Sequence, residues 1–104
     1  MSNIFDNLPT DLSQEVFDQL VNNETVKIER IVSKGHTSPE RGWYDQAQHE
    51  WVMVLQGSAL LEFDDKEPVR LNSGDYVNIP AHQKHRVAWT DSFCETIWLA
   101  IHYT

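Results

Sequence analysis

From residue 49 onward the chain is a succession of short β-rich runs, and this punctuation constrains the fold more than any other feature. "EWVMVLQ", "ALLEF", "PVRL", "DYVNIP", "HRVAW" and "TIWLAIHY" are separated by Gln56-Gly57-Ser58, Asp64-Asp65-Lys66, Asn72-Ser73-Gly74-Asp75, Pro80-Ala81-His82 and Thr90-Asp91-Ser92. Gly, Pro, Asn, Asp and Ser recur in these breaks because they reach positive φ, fix φ, or bond their own backbone. Many short strands with few helices between them pack as an antiparallel sandwich or barrel. Upstream, "TVKIERIVS" alternates Val26 and Ile28 with Lys27 and Glu29, the pattern of one more strand. "KGHTSPERG" is a loop. In "TDLSQEVFDQLVNN", Leu12, Val16, Phe17, Leu20 and Val21 recur at helical spacing, Asp11 and Gln14 resemble a capping pair and Asn22-Asn23 would end the turn, so a short N-terminal helix is expected. The expected organisation is one all-β domain over residues 1–104, with a helical segment over 1–25 and a barrel over 26–104.

Composition narrows the function classes. Sixteen acidic against eight basic residues give a formal charge of -8, and such a field repels phosphate backbones and anionic membranes. The longest uninterrupted apolar runs, Trp51 to Leu55 and Ile97 to Ile101, are far shorter than the ~20 residues of a membrane span. "MSNIFDNLPT" shows no secretion signal, and the single cysteine, Cys94, can form no internal disulfide. A cytoplasmic protein binding neither nucleic acid nor membrane is expected.

Four of the five histidines fall in or beside strands: His49, His82, His85 and His102. Alternate residues of a strand face one side, so if Val52 and Val54 point inward, so does Glu50; in "HRVAW", His85 shares a face with Val87 and Trp89. A carboxylate and an imidazole would then meet inside the barrel. An inward carboxylate requires a counter-charge or a metal. His36 and His102 are read as structural.

These residues resemble the cupin family of small β-barrels, also called double-stranded β-helices or jelly rolls. Its first motif has the form G-x5-H-x-H-x3/4-E-x6-G and its second G-x5-P-x-G-x2-H-x3-N. Glu50, six residues and Gly57 match the end of the first; Gly74, Pro80 and His85 match the second. The resemblance covers roughly residues 35 to 102. Where the family's two first-motif histidines would fall stand Tyr44 and Gln46, or Trp43 and Asp45 with the longer spacing. His82 takes the second glycine of the second motif and Trp89 its asparagine. The resemblance therefore implies Glu50 and His85 as metal ligands, with Gln46, Asp45, His49 and His82 as candidates to complete the shell. The ion would be a divalent Fe, Mn, Ni or Zn. His49 follows an outward phase and His82 lies in a turn, so a plain hydrogen-bonding role stands open for each.

Tyr44, Asp45 and Trp89 are the expected walls of a pocket for a small, partly apolar molecule. Lys84 and Arg86 alternate with His85 and leave no clamp for a phosphate. The family resemblance also implies a homodimer. Three functions follow: a metal-dependent enzyme of oxygenase, isomerase or lyase type, a metal-free binding or sensing module, or a dimeric scaffold. Fold alone does not choose among them.

Overall fold

The computed structural model describes residues 2–39 and 41–104. All seven expected strands form, and one more precedes them: β1 (Val16–Asn22), β2 (Val26–Ser33), β3 (His49–Gln56), β4 (Ser58–Phe63), β5 (Val69–Asn72), β6 (Tyr76–Ile79), β7 (His85–Thr90) and β8 (Thr96–Tyr103). Among the described residues no helix is long and apolar enough to cross a membrane. The strands make two antiparallel sheets, ordered β1-β2-β8-β3-β6 and β5-β4-β7. Their inner faces meet in a core of Val52 and Val54 from β3, Ala59, Leu61 and Phe63 from β4, Leu71, Ile79 and Trp98. Burying each such aliphatic side chain contributes about 1.5–3 kcal/mol.

The expected N-terminal helix is replaced by β1, an edge strand on β2. Asp11 does cap something, but it is a turn: its Oδ1 accepts the Ser13 N–H at 3.0 Å. Helical spacing misleads here because the pairing shifts between Gln19 and Val21, leaving Leu20 as an extra residue in the strand. Phe17, opposite Ile31, and Val21, opposite Ile28, thereby fall on different faces of the sheet. They are four apart in sequence and do not share a stripe.

The segment before β1 is tied to the sheet by Arg30. Its guanidinium donates to Asp18 Oδ2 (3.1 and 2.8 Å) and to the carbonyls of Ile4 (3.1 Å), Asp6 (2.7 Å) and Asn7 (3.3 Å). A buried guanidinium is stable only when its planar fork of donors is used, and here Asp18 of β1 and the strap of chain before that strand use it.

Gly57 links β3 to β4 at φ +96°, and a Cβ there would meet Thr96 Oγ1 at 2.5 Å, Thr96 Cα at 2.7 Å and the Glu95 carbonyl oxygen at 2.8 Å. Position 57 needs glycine for both conformation and space. His82 also has positive φ, +64°. The backbone is left-handed at the position where the cupin motif has glycine, a conformation histidine reaches more readily than bulkier or branched residues.

Candidate functional site

The inner face of the larger sheet is built in rows. Pairing sets Lys27 opposite His102 and His102 opposite Glu50; one row further in come Glu29, Ala100 and Val52; then Ile31, Trp98 and Val54. The first two rows carry the charged groups and the third joins the core, and the space between the sheets lies over all three. A cavity of about 350 Å³ lies there. Its walls take side chains from β1, β2, β3, β6 and β8 on one side, and Leu61, His85 and Val87 on the other.

At its inner wall runs a chain of titratable groups. Lys27 Nζ lies 3.6 Å from Glu29 Oε1, and Glu29 Oε1 lies 3.2 Å from His102 Nε2. His102 Nε2 is also 3.8 Å from Glu50 Oε2, while Glu50 Oε1 is 3.4 Å from His85 Nε2. Glu29, His85 and His102 are buried. His85 Nδ1 is 2.9 Å from the Gln83 carbonyl. A carbonyl only accepts, so Nδ1 carries a proton and Nε2 is the atom turned to Glu50. Burial pushes the His85 imidazole down, but the hydrogen bond to Glu50, the Gln83 carbonyl and the Glu50 charge together outweigh it and hold its pKa above the ordinary value.

Of the residues singled out from sequence, Glu50, His85, Gln46 and Tyr44 line this cavity. Tyr44 pairs with His85 through both backbone hydrogen bonds (2.8 and 3.2 Å), with the two rings 5.9 Å apart. The others are placed elsewhere. His49 Nδ1 accepts the Ala81 N–H at 2.9 Å and its ring leans on Tyr103, the outward phase that alternation gives it. His82 and Asp45 pair with each other at 2.7 Å on the surface. Trp89 is turned out, with the Arg70 guanidinium over its ring at 5.0 Å. The reason is a bulge: Val87 pairs with Leu61 and Trp89 with Leu60, so Ala88 is an extra residue that reverses the phase after Val87. Sequence reasoning missed Glu29, Lys27 and His102. The alternation of Trp98, Ala100 and His102 was a signal for the last of them, since a histidine in phase with inward apolar residues shares their face.

The model of the Cupin domain family matches residues 29–102. The chain belongs to the cupin family. This span begins at Glu29 and ends at His102, so two of the buried cavity groups lie at its limits. A crystal structure from Ralstonia eutropha JMP134, of a protein described as a "putative mannose-6-phosphate isomerase", is 44% identical, with 99% of this chain and 96% of that one covered and a TM-score of 0.94. A cupin superfamily protein of Desulfitobacterium hafniense DCB-2 (21% identical, 92% and 83% covered, TM-score 0.76) shares the fold. So does an RmlC-like cupin of Methanocaldococcus jannaschii with a double-stranded β-helix (22%, 92% and 85%, TM-score 0.71). No curated protein matches the chain.

The metal that the cupin resemblance implies does not fit these side chains well. Among the described residues, no group of three or more His, Cys, Asp or Glu side chains is placed to hold an ion. The expected shell of Glu50, His85, Gln46, His49 and His82 is not assembled, because His49 and His82 lie outside the cavity lining. The two inward imidazoles each direct Nε2 at a carboxylate.

Proposed function

We propose that this cupin binds a compact organic molecule in its cavity without a metal, the polar end of the ligand facing the Glu50–His85 pair. The observation that carries this reading is a pair formed by the buried His85 imidazole and the mostly covered Glu50 carboxylate on the wall of a 350 Å³ cavity whose other walls include Val52, Leu61, Ile79 and Val87. Ligand sites of this kind combine apolar walls with a few placed polar groups. Glu50 offers a bound polar group a carboxylate acceptor, and the His85 imidazole beside it is held above its ordinary pKa by that carboxylate and by the Gln83 carbonyl. Sugar-phosphate isomerisation, the activity that the Ralstonia protein's name carries, is not the preferred reading. Among the described residues, Lys27 is the only Lys or Arg lining the cavity, and it faces Glu29, which leaves a dianionic phosphate without a bidentate partner.

The test is a thermal-shift screen of small organic molecules against protein stripped with chelator, beside Glu50→Gln and His85→Gln. A ligand at one hundred times its Kd should add about 2.7 kcal/mol of stability, and both variants should lose most of that gain. If the untreated protein instead carries about one metal ion per chain, lost in both variants, and ligands bind only when it is present, the metal-free reading fails.

A further inference from the structure

The sign of the charge around the cavity identifies the class of ligand more closely. Its lining holds three carboxylates, Glu15, Glu29 and Glu50, against one ammonium, Lys27, and two imidazoles, His85 and His102. With the carboxylates ionised, the wall carries -2 when both imidazoles are neutral and zero when both are protonated. The chain as a whole carries -8, and low-dielectric walls focus that field into the concavity. While the carboxylates are ionised, the net charge of the wall therefore offers an anion nothing. A cation gains at every state short of full protonation.

The apolar part of the lining points the same way. Phe17, Tyr44 and Trp98 contribute rings to the walls. Phe17 and Tyr44 are about half exposed, placing them towards the opening, whereas Trp98 is buried. Aromatic faces attract cations through their quadrupole, most strongly when water is excluded. Carboxylates at the inner wall and rings along the approach suit an ammonium group with a short hydrocarbon body.

Resting on the small-molecule reading above, we propose that the cavity takes a small organic cation of the primary amine type, its ammonium held by Glu29 and Glu50 and its body against Trp98. Lys27, 3.6 Å from Glu29, competes for the same carboxylate and so limits affinity. Glu29→Gln should weaken binding, and Lys27→Met should strengthen it.

The experiment is calorimetric titration of the full-length, chelator-treated protein with three probes of matched size: benzylammonium, benzyl alcohol and benzoate. Removing or reversing one unit charge within several ångströms in a partly screened site changes affinity by about tenfold or more. Benzylammonium should bind at least about tenfold tighter than benzyl alcohol, with benzoate weakest. Lys27→Met should tighten benzylammonium several-fold and leave the alcohol unchanged; its lysine is partly exposed, so the variant should fold even if Glu29→Gln does not. Equal binding of amine and alcohol, or tighter binding of benzoate, overturns the cation assignment and leaves the small-molecule reading standing. Binding of none of the three overturns both.

Discussion

Replacing Gly57 by alanine should be among the most damaging single changes in this protein, and the contrast with Gly74 isolates the reason. Both glycines have positive φ, +96° and +91°, so alanine at either site bears the conformational cost of an L-residue in that region, about 1–2 kcal/mol. At Gly74 nothing lies within 4 Å of the new Cβ, and that cost is the whole effect. At Gly57 the Cβ would sit 2.5 Å from Thr96 Oγ1, and two of its other neighbours are backbone atoms that no rotamer change can move. The β3–β4 link must therefore shift away from the start of β8. That shift endangers the two hydrogen bonds between Thr96 Oγ1 and the Ser58 backbone, 3.3 and 3.2 Å, each worth about 1 kcal/mol. Gly57→Ala should then lose about 3–4 kcal/mol, and Gly74→Ala about 1–2 kcal/mol. Urea melts of both variants give the comparison directly. Equal midpoints would refute the steric argument and leave only the backbone term.

Two further outcomes follow from the charged interior and the N-terminal strap. Because His85 titrates above its unfolded value of 6.5, its contribution to stability is fully present below pH 6.5 and is lost as pH rises through the folded pKa; in Glu50→Gln the burial effect is left to dominate, so NMR titration should find His85 below its ordinary value, and an unchanged pKa would show that Glu50 is not what holds it up. Arg30→Lys keeps the charge but loses the fork that meets Asp18 and three carbonyls, so it should lower stability by about 2–3 kcal/mol and speed proteolysis before β1; identical digestion rates would remove Arg30 as the anchor.

The strands from β2 onward were legible because their limits are written locally, in turn residues such as Asn72-Ser73-Gly74-Asp75, and local signals survive in any fold. Glu50 was legible for a related reason: no bulge separates it from Val52 and Val54, so alternation carries its direction. Reasoning by phase failed where a strand holds an extra residue. Leu20 in β1 turned an edge strand into an apparent helix, and Ala88 in β7 reversed Trp89. Glu29 and His102 were hidden differently. The inward face of β2 carries Lys27 and Glu29 while Val26 and Ile28 face out, against the ordinary rule. The inward charge of Glu29 is met by His102, seventy-three residues away in sequence, and that of Lys27 by Glu29 itself. His82 shows the converse, a position whose left-handed backbone suits the motif's glycine while a histidine occupies it.

The extra residue in β7 also decides whether there is room for a ligand at all. In a strand of unbroken alternation, Trp89 would follow His85 and Val87 inward, and an indole is large enough to take up much of a 350 Å³ space. With Ala88 inserted, the residue reaching inward at that end of the strand is Thr90, whose hydroxyl is occupied by the His36 carbonyl at 2.7 Å. Deleting Ala88 would restore a regular ladder and still leave the indole outside, since Trp89 would then take the outward step after Val87. Vacancy in this barrel is thus a matter of counting residues along one strand, and side-chain size at the wall is secondary to it.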